Sequence, residues 1–176
     1  MKIYTKAGDQ GETCLYDGSR TTKDDARLEL IGDLDELSSY LALVHSLYAN
    51  VSLQDYLLKI IHDLFILNAH VAGAKNFAQL DLSAETLALE QSIDQMSAEL
   101  TPLTNFIYPS GSQAIATTHI SRTICRRVER KLVRASQDLI FAKSVLPYLN
   151  RLSDWLFTLA RFIAHTTNVK EVALIV

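Results

Sequence analysis

From Asp24 onward apolar residues recur every three or four positions, the period that gathers them on one face of an α-helix. Leu28, Ile31, Leu34, Leu41, Val44 and Tyr48 form a first stripe; Leu57, Ile60, Ile61, Leu64, Leu67 and Val71 form a second. A third runs through Ile93, Met96 and Leu100 behind Ser83, a residue type suited to cap a helix N-terminus. Ile120, Ile124, Val128 and Leu132 make the fourth. The fifth carries Leu149, Leu152, Leu156, Leu159 and Ile163, with Pro147 tolerated in its first turn, where no backbone donor is needed. The predicted fold class is all-α, an antiparallel five-helix bundle formed as one domain over residues 1–176.

Two stretches escape this pattern. Residues 1–24 have no helical stripe, hold Gly8, Gly11 and Gly18, and predict an irregular polar loop. A structureless run above roughly 12 to 15 residues in a compact domain is usually functional or disordered. Thr101 to Gly111, TPLTNFIYPSG, breaks helix with two prolines and a glycine and leaves Phe106, Ile107 and Tyr108 without periodic partners. The closing VALIV reads as a short strand or a docked end.

Composition narrows the function classes. With 176 residues, 48% hydrophobic and 21% charged, the chain buries enough surface to need neither a disulfide framework nor a structural metal, so Cys14 and Cys125 carry no framework. A net charge of -3 is the wrong sign for wrapping nucleic acid. No signal-peptide core and no run approaching the roughly 18 apolar residues of a membrane span is present, which predicts a soluble, cytoplasmic protein without a membrane partner.

Charge is concentrated on the fourth helix, where Arg122, Arg126, Arg127, Arg130, Lys131 and Arg134 place six of 17 basic residues within 13 positions. At about 100° per residue, Arg122, Arg126 and Arg130 share a ridge with Glu129 and His119, away from the apolar stripe. A solvated face with i,i+4 pairs is one reading. Three arginines in register repel one another, however, and guanidinium suits bidentate phosphate recognition. The N-terminal TKAGDQGET has the glycines, hydroxyls and lysine of a phosphate-gripping loop but not the Walker A spacing, and a flexible polar arm is the alternative. Asp33, Asp35 and Glu36 form either a hydrophilic helix face or partners for metal or arginine. The five histidines show no Glu-x-x-His pair and no zinc spacing, so no protein-ligated metal is expected. Neither a nucleophile elbow nor a Cys–His site is evident. Asn150 and Asp154 share a face of the fifth helix and either bind a ligand or solvate the first turn.

In order along the chain, YTKAGDQG, KDD at Lys23 to Asp25, GDLDELSS from Gly32, SRTICRRVER from Ser121 to Arg130 and YLNRLSDWLF from Tyr148 resemble the PduO-type ATP:cob(I)alamin adenosyltransferases. The resemblance implies a homotrimer with a site at each subunit interface, where the N-terminal loop of one subunit and the arginine helix of its neighbour grip ATP. The implied nucleotide contacts are Thr5, Lys6, Ala7, Gly8, Asp9, Thr13, Lys23, Arg126, Glu129, Arg130 and Asn150, and Asp35 pairs with Arg122 across the interface. Phe106 is implied at the lower face of the corrin, excluding its axial ligand. The implied reaction moves the 5'-deoxyadenosyl group of ATP to cobalt of cob(I)alamin, with Mg2+ held mainly by phosphate oxygens. A reductase and an adenosylcobalamin-dependent enzyme are the implied protein partners. Two features depart from the family pattern: Ala7 replaces a threonine, and FIYPSG puts Tyr108 and Ser110 where leucine and glycine are usual. Outside catalysis, the same residues suit a bundle that carries or senses nucleotide and corrinoid, or a structural bundle whose basic stripe meets an acidic partner.

Overall fold

The computed structural model describes residues 2–4, 6–135 and 143–175. Among them five α-helices form: α1 (Ala26–Leu47), α2 (Val51–Val71), α3 (Ser83–Ala98), α4 (Gln113–Ala135) and α5 (Val145–Thr166), with one 3-10 turn at Lys75–Phe77. They pack in the spatial order α2, α1, α4, α5, α3. Side-chain pairs fix the directions. Glu29 meets Lys131 while Glu36 meets Arg127, so α1 and α4 are antiparallel. Glu129 meets Asn150 while His119 faces Phe157, so α4 and α5 are antiparallel too. Leu82 meets Ser144 and Ser92 meets Trp155, which makes α3 and α5 parallel neighbours, the one such pair among these contacts.

The core comes from the predicted stripes with shifts in register. Leu30, Leu34, Leu37, Leu41 and Val44 of α1 are buried, whereas Leu28 and Ile31 are only half-buried on its flank. Ile120 of the predicted fourth stripe is 43% exposed. Its turn of α4 instead buries Thr117, Thr118 and Ser121. Thr118 and Ser121 donate their hydroxyls to the carbonyls of Ala114 and Thr117, one turn back. A hydroxyl satisfied inside its own helix packs like a small apolar group, which hydropathy does not reveal. Leu100 lies past the end of α3, in a turn donating to Ser97.

Helix ends follow local chemistry. Asp25 caps α1, accepting from the Arg27 amide at 2.8 Å and the Thr21 hydroxyl at 2.6 Å, which holds its carboxyl down to about 2. Asn50 caps α2. Ser83 is the first residue of α3 rather than its cap, and Asp81 accepts from its amide at 3.0 Å. Pro147 stands in the first turn of α5, as expected.

The irregular N-terminal loop contains a small hairpin. Strands β1 (Glu12–Cys14) and β2 (Arg20–Thr22) pair antiparallel with Thr13 opposite Thr21. Leu15 is buried and the Tyr16 amide donates to the Ala72 carbonyl at 3.1 Å, docking the hairpin beside the end of α2. The closing segment behaves as the strand alternative: Ile107 and Ala173 form an antiparallel bridge. No helix among the described residues is long and apolar enough to cross a membrane.

Candidate active site

Helix α4 divides its charge between two sides, and packing decides which cations are consumed. Arg127 pairs with Asp33 at 3.2 Å and with Glu36, and Lys131 pairs with Asp33 at 3.0 Å and Glu29 at 3.3 Å. These bonds staple α4 to α1. Among the described residues Arg122, Arg126 and Arg130 take part in no ion pair. Arg126 and Arg130 are exposed, while Arg122 is half-buried with its Nε enclosed and without a hydrogen-bond partner. Desolvation, reinforced by the neighbouring Arg126 charge, pushes the Arg122 guanidinium below its ordinary pKa. The mutual repulsion expected from the sequence is therefore present. His119, expected on this ridge, is 5% exposed and lies against the ring of Phe157. Burial, then the Arg122 charge, lowers its pKa.

Two hollows meet at this ridge. A polar groove of about 190 Å³ is lined by Arg122, Arg126, Ser153, Asp154, Phe157 and Thr158. A larger, mostly apolar cavity of about 790 Å³ is walled by the aromatic loop, by Phe157 and Arg122, and by Leu174 of the closing segment. Arg122 and Phe157 belong to both, so a ligand spanning the two passes from an apolar bowl to a cationic trough. Phe106 is 83% exposed at the rim of the bowl. On the same two helices the Asn150 amide donates to Glu129 at 2.9 Å, and Asp154, which lines the groove, accepts from Arg151 at 3.0 Å.

The loop before α4 shows what its unusual residues do. Gly111 has φ of 140°, and a Cβ there would stand 2.8 Å from Ile115 Cδ1, so this position needs glycine. Ser110 is not among the positive-φ residues, so serine suits its backbone without strain.

The N-terminal loop brings Gly8 and Lys23 toward each other, with Lys6 two residues before Gly8. Lys6 has φ of 61°, the Lys23 amide donates to Gly11 at 2.9 Å, and a Cβ on Gly8 would lie 3.2 Å from Lys23 Nζ. Ala7 and Asp9 are exposed beside them and Thr13 is half-buried in β1. Thr5 lies outside the described residues. No described hydrogen bond or ion pair joins this loop to the arginine ridge of the same chain. Asp35 likewise faces α2, accepting from Asn68 at 2.6 Å, and does not meet Arg122 within the chain.

A family model described as cobalamin adenosyltransferase matches residues 3–163. The chain belongs to this family. It is 39% identical to the corrinoid adenosyltransferase of Bacillus subtilis over 98% of this chain and 91% of the relative. It is 38% identical to that of Citrobacter freundii over 96% and 98%. In structure it is similar to a phenylalanine-to-alanine variant of the PduO-type ATP:corrinoid adenosyltransferase of Lactobacillus reuteri complexed with cobalamin and ATP. That match has a TM-score of 0.91 and 30% identity, covering 98% of this chain and 99% of that one.

For this adenosyltransferase-family chain, Arg122 and Arg126 line the groove, Glu129 and Asn150 bond to each other across the same two helices, and Phe106 lines the adjoining bowl. Sequence reasoning missed Phe157, Leu103 and Leu174. Phe157 was within reach, since Asn150, Asp154 and Phe157 follow the i, i+4, i+7 spacing of one helix face. Leu174 carries no local signal, because folding across the chain brings it to the bowl, whereas Leu103 lies within the Thr101–Gly111 loop and was within reach. Cys125 offers no nucleophile: it is fully buried, its thiol donates to the Leu149 carbonyl, and burial pushes its pKa up. Among the described residues no three His, Cys, Asp or Glu side chains are placed to share a metal ion.

Proposed function

We propose that the chain transfers the 5'-deoxyadenosyl group of ATP to the cobalt of a Co(I) corrinoid, releasing triphosphate. The observation that carries this reading is the apolar bowl opening at Arg122 and Phe157 onto a groove lined by Arg122 and Arg126, which pair with no carboxylate among the described residues. A flat macrocycle suits the bowl and a polyphosphate suits the trough. Cobalt supplies the nucleophile: its electron pair forms the bond to C5', and the C5'–O electrons leave with the triphosphate. The protein therefore needs to align the reactants and neutralise charge growing on the leaving group. Arg126 and Arg130 serve that neutralisation, with Glu129 and Asn150 ordering the trough beside them. Mg2+, carried mainly on phosphate oxygens, supplies further charge compensation.

Assembly completes the site in this reading. Among the described residues Lys6, Gly8 and Lys23 make no hydrogen bond or ion pair with the ridge of their own chain, and a cytoplasmic homotrimer would bring them, with Thr5, Ala7, Asp9 and Thr13, to the ridge of a neighbour. The same arrangement gives Asp35 its partner, Arg122 of the adjoining subunit. Phe106 closes the lower face of the corrin, disfavouring an axial ligand and easing reduction of Co(II) to Co(I). A reductase that feeds electrons to the corrinoid and an enzyme that consumes adenosylcobalamin are the corresponding partners.

The direct test is anaerobic incubation with ATP and a chemically reduced Co(I) corrinoid, following the cobalt–carbon product by its spectrum and triphosphate by stoichiometry. One triphosphate per adenosylated corrinoid supports transfer. ATP binding without product overturns it in favour of a carrier or sensor.

A further inference from the structure

The aromatic loop holds itself in place poorly. Between Thr101 and Ile107 no backbone amide donates to another backbone group among the described residues, and Phe106 is exposed. What holds this stretch comes from elsewhere. The closing segment turns back from α5 and exchanges two backbone bonds with the loop, Tyr108 amide to Val172 carbonyl at 2.9 Å and Leu174 amide to Phe106 carbonyl at 2.7 Å. These bracket Ile107, the residue that follows Phe106. Both partners are anchored by one residue of α5, Arg161, whose side chain is only 11% exposed. Its Nε meets Glu171 Oε1 at 2.9 Å and its Nη2 meets Oε2 at 3.3 Å, a two-pronged grip on the closing segment. The same Nη2 donates to the Thr101 carbonyl at 2.8 Å, where the loop begins.

We propose that Arg161 is a positioning residue: by clamping Glu171 and Thr101 together it seats the closing segment against the loop and thereby aims the Phe106 ring over the bowl. The inference rests on the adenosyl-transfer reading and adds a residue on the far side of the loop from the reacting atoms. A guanidinium is needed because two differently placed acceptors must be met at once from a rigid fork. A lysine at 161 offers a single nitrogen in place of the fork and cannot reproduce the two-nitrogen grip on Glu171 together with the bond to Thr101.

The test compares wild-type protein with Glu171→Gln, Arg161→Lys and Arg161→Ala. Glu171→Gln leaves the residues of α5 untouched and carries the test should Arg161→Ala fail to fold. Three readouts separate positioning from a merely structural role. These are amide hydrogen exchange at Tyr108 and Leu174 in the ligand-free protein, ATP affinity, and turnover from Co(II) with reductant against turnover from pre-reduced Co(I). Exchange at the two amides should accelerate at least about tenfold while buried amides of α5 hold their wild-type rates, because opening becomes local. ATP affinity should stay within about twofold, since the trough is untouched. Turnover from Co(II) should fall more than turnover from Co(I), with Arg161→Lys recovering part of the loss. Unchanged exchange at both amides, or faster exchange with Co(II) turnover intact, overturns the positioning role alone. A wild-type protein that forms no adenosylated corrinoid overturns the proposed function and this inference together.

Discussion

Replacing Arg126 by alanine tests the division of labour on α4. Arg126 is exposed and takes part in no ion pair among the described residues, and its charge opposes that of the desolvated Arg122. Removing it takes away repulsion and no intramolecular bond, so the ligand-free protein should keep its stability within about 0.5 kcal/mol. A charge-assisted bond to phosphate is worth roughly 1.5 to 3 kcal/mol, so ATP should bind about 10- to 150-fold more weakly. Arg127→Ala is the internal control, one residue along the same helix. It removes the pairs with Asp33 and Glu36 and leaves Asp33, only 13% exposed, with Lys131. That should cost about 1 kcal/mol. Melting should fall by roughly 2 to 4 °C for a chain of this size, with ATP affinity retained. Calorimetric titration with ATP and a thermal scan of each variant decide the matter. Wild-type ATP affinity in Arg126→Ala, or loss of affinity confined to Arg127→Ala, refutes the assignment of the ridge.

Three further outcomes are expected. Phe106→Ala should spare ATP affinity by calorimetry and lower turnover from Co(II) at least about tenfold, since the proposed role of the ring is on the corrin and not on phosphate; parallel loss of both contradicts this. Asp25→Ala should cost about 1 kcal/mol through loss of the α1 cap, measured by denaturant unfolding. Because the folded carboxyl is depressed from 3.8 to about 2, its contribution is fully present above pH 3.8 and is lost as pH falls through about 2, so the gap between variant and wild type should close over that window. Asp35→Asn keeps a hydrogen-bonding group for Asn68 but loses the charge that the proposed assembly sets against a neighbour's Arg122. The proposed trimer should then dissociate at higher protein concentration in sedimentation, with the helical content of the chain unchanged.

The helices were legible because each buries a face wide enough to leave a period in the sequence; Leu34, Leu41, Leu57, Leu64, Val128, Leu152 and Leu156 stand in the core where spacing puts them. Errors arose where burial and polarity part company. Ser121 and Thr118 are interior although polar, and Ile120 beside them is exposed although apolar. The ridge of Arg122, Arg126 and Arg130 was readable from angle alone, and pairing of Arg127 and Lys131 with α1 confirms which face of α4 is consumed by packing. His119 misled because the three-residue step from it to Arg122 turns the helix only about 300°, leaving it about 60° off the ridge and rotated inward against Phe157. The hairpin at Glu12–Thr22 is too short for period-2 alternation to register. Nothing local announces that Leu174 lines the bowl or that Arg161 bridges Thr101 and Glu171, since these contacts join parts of the chain far apart in sequence.

The most direct measurement is a crystal structure of the protein with ATP bound. Triphosphate oxygens should lie on Arg126 and Arg130 of one protomer and on the Lys6–Gly8 loop of the next, with C5' turned toward the bowl from the side opposite Phe106. Nucleotide seated elsewhere, with the arginine ridge bare and no second protomer at the trough, would contradict this placement.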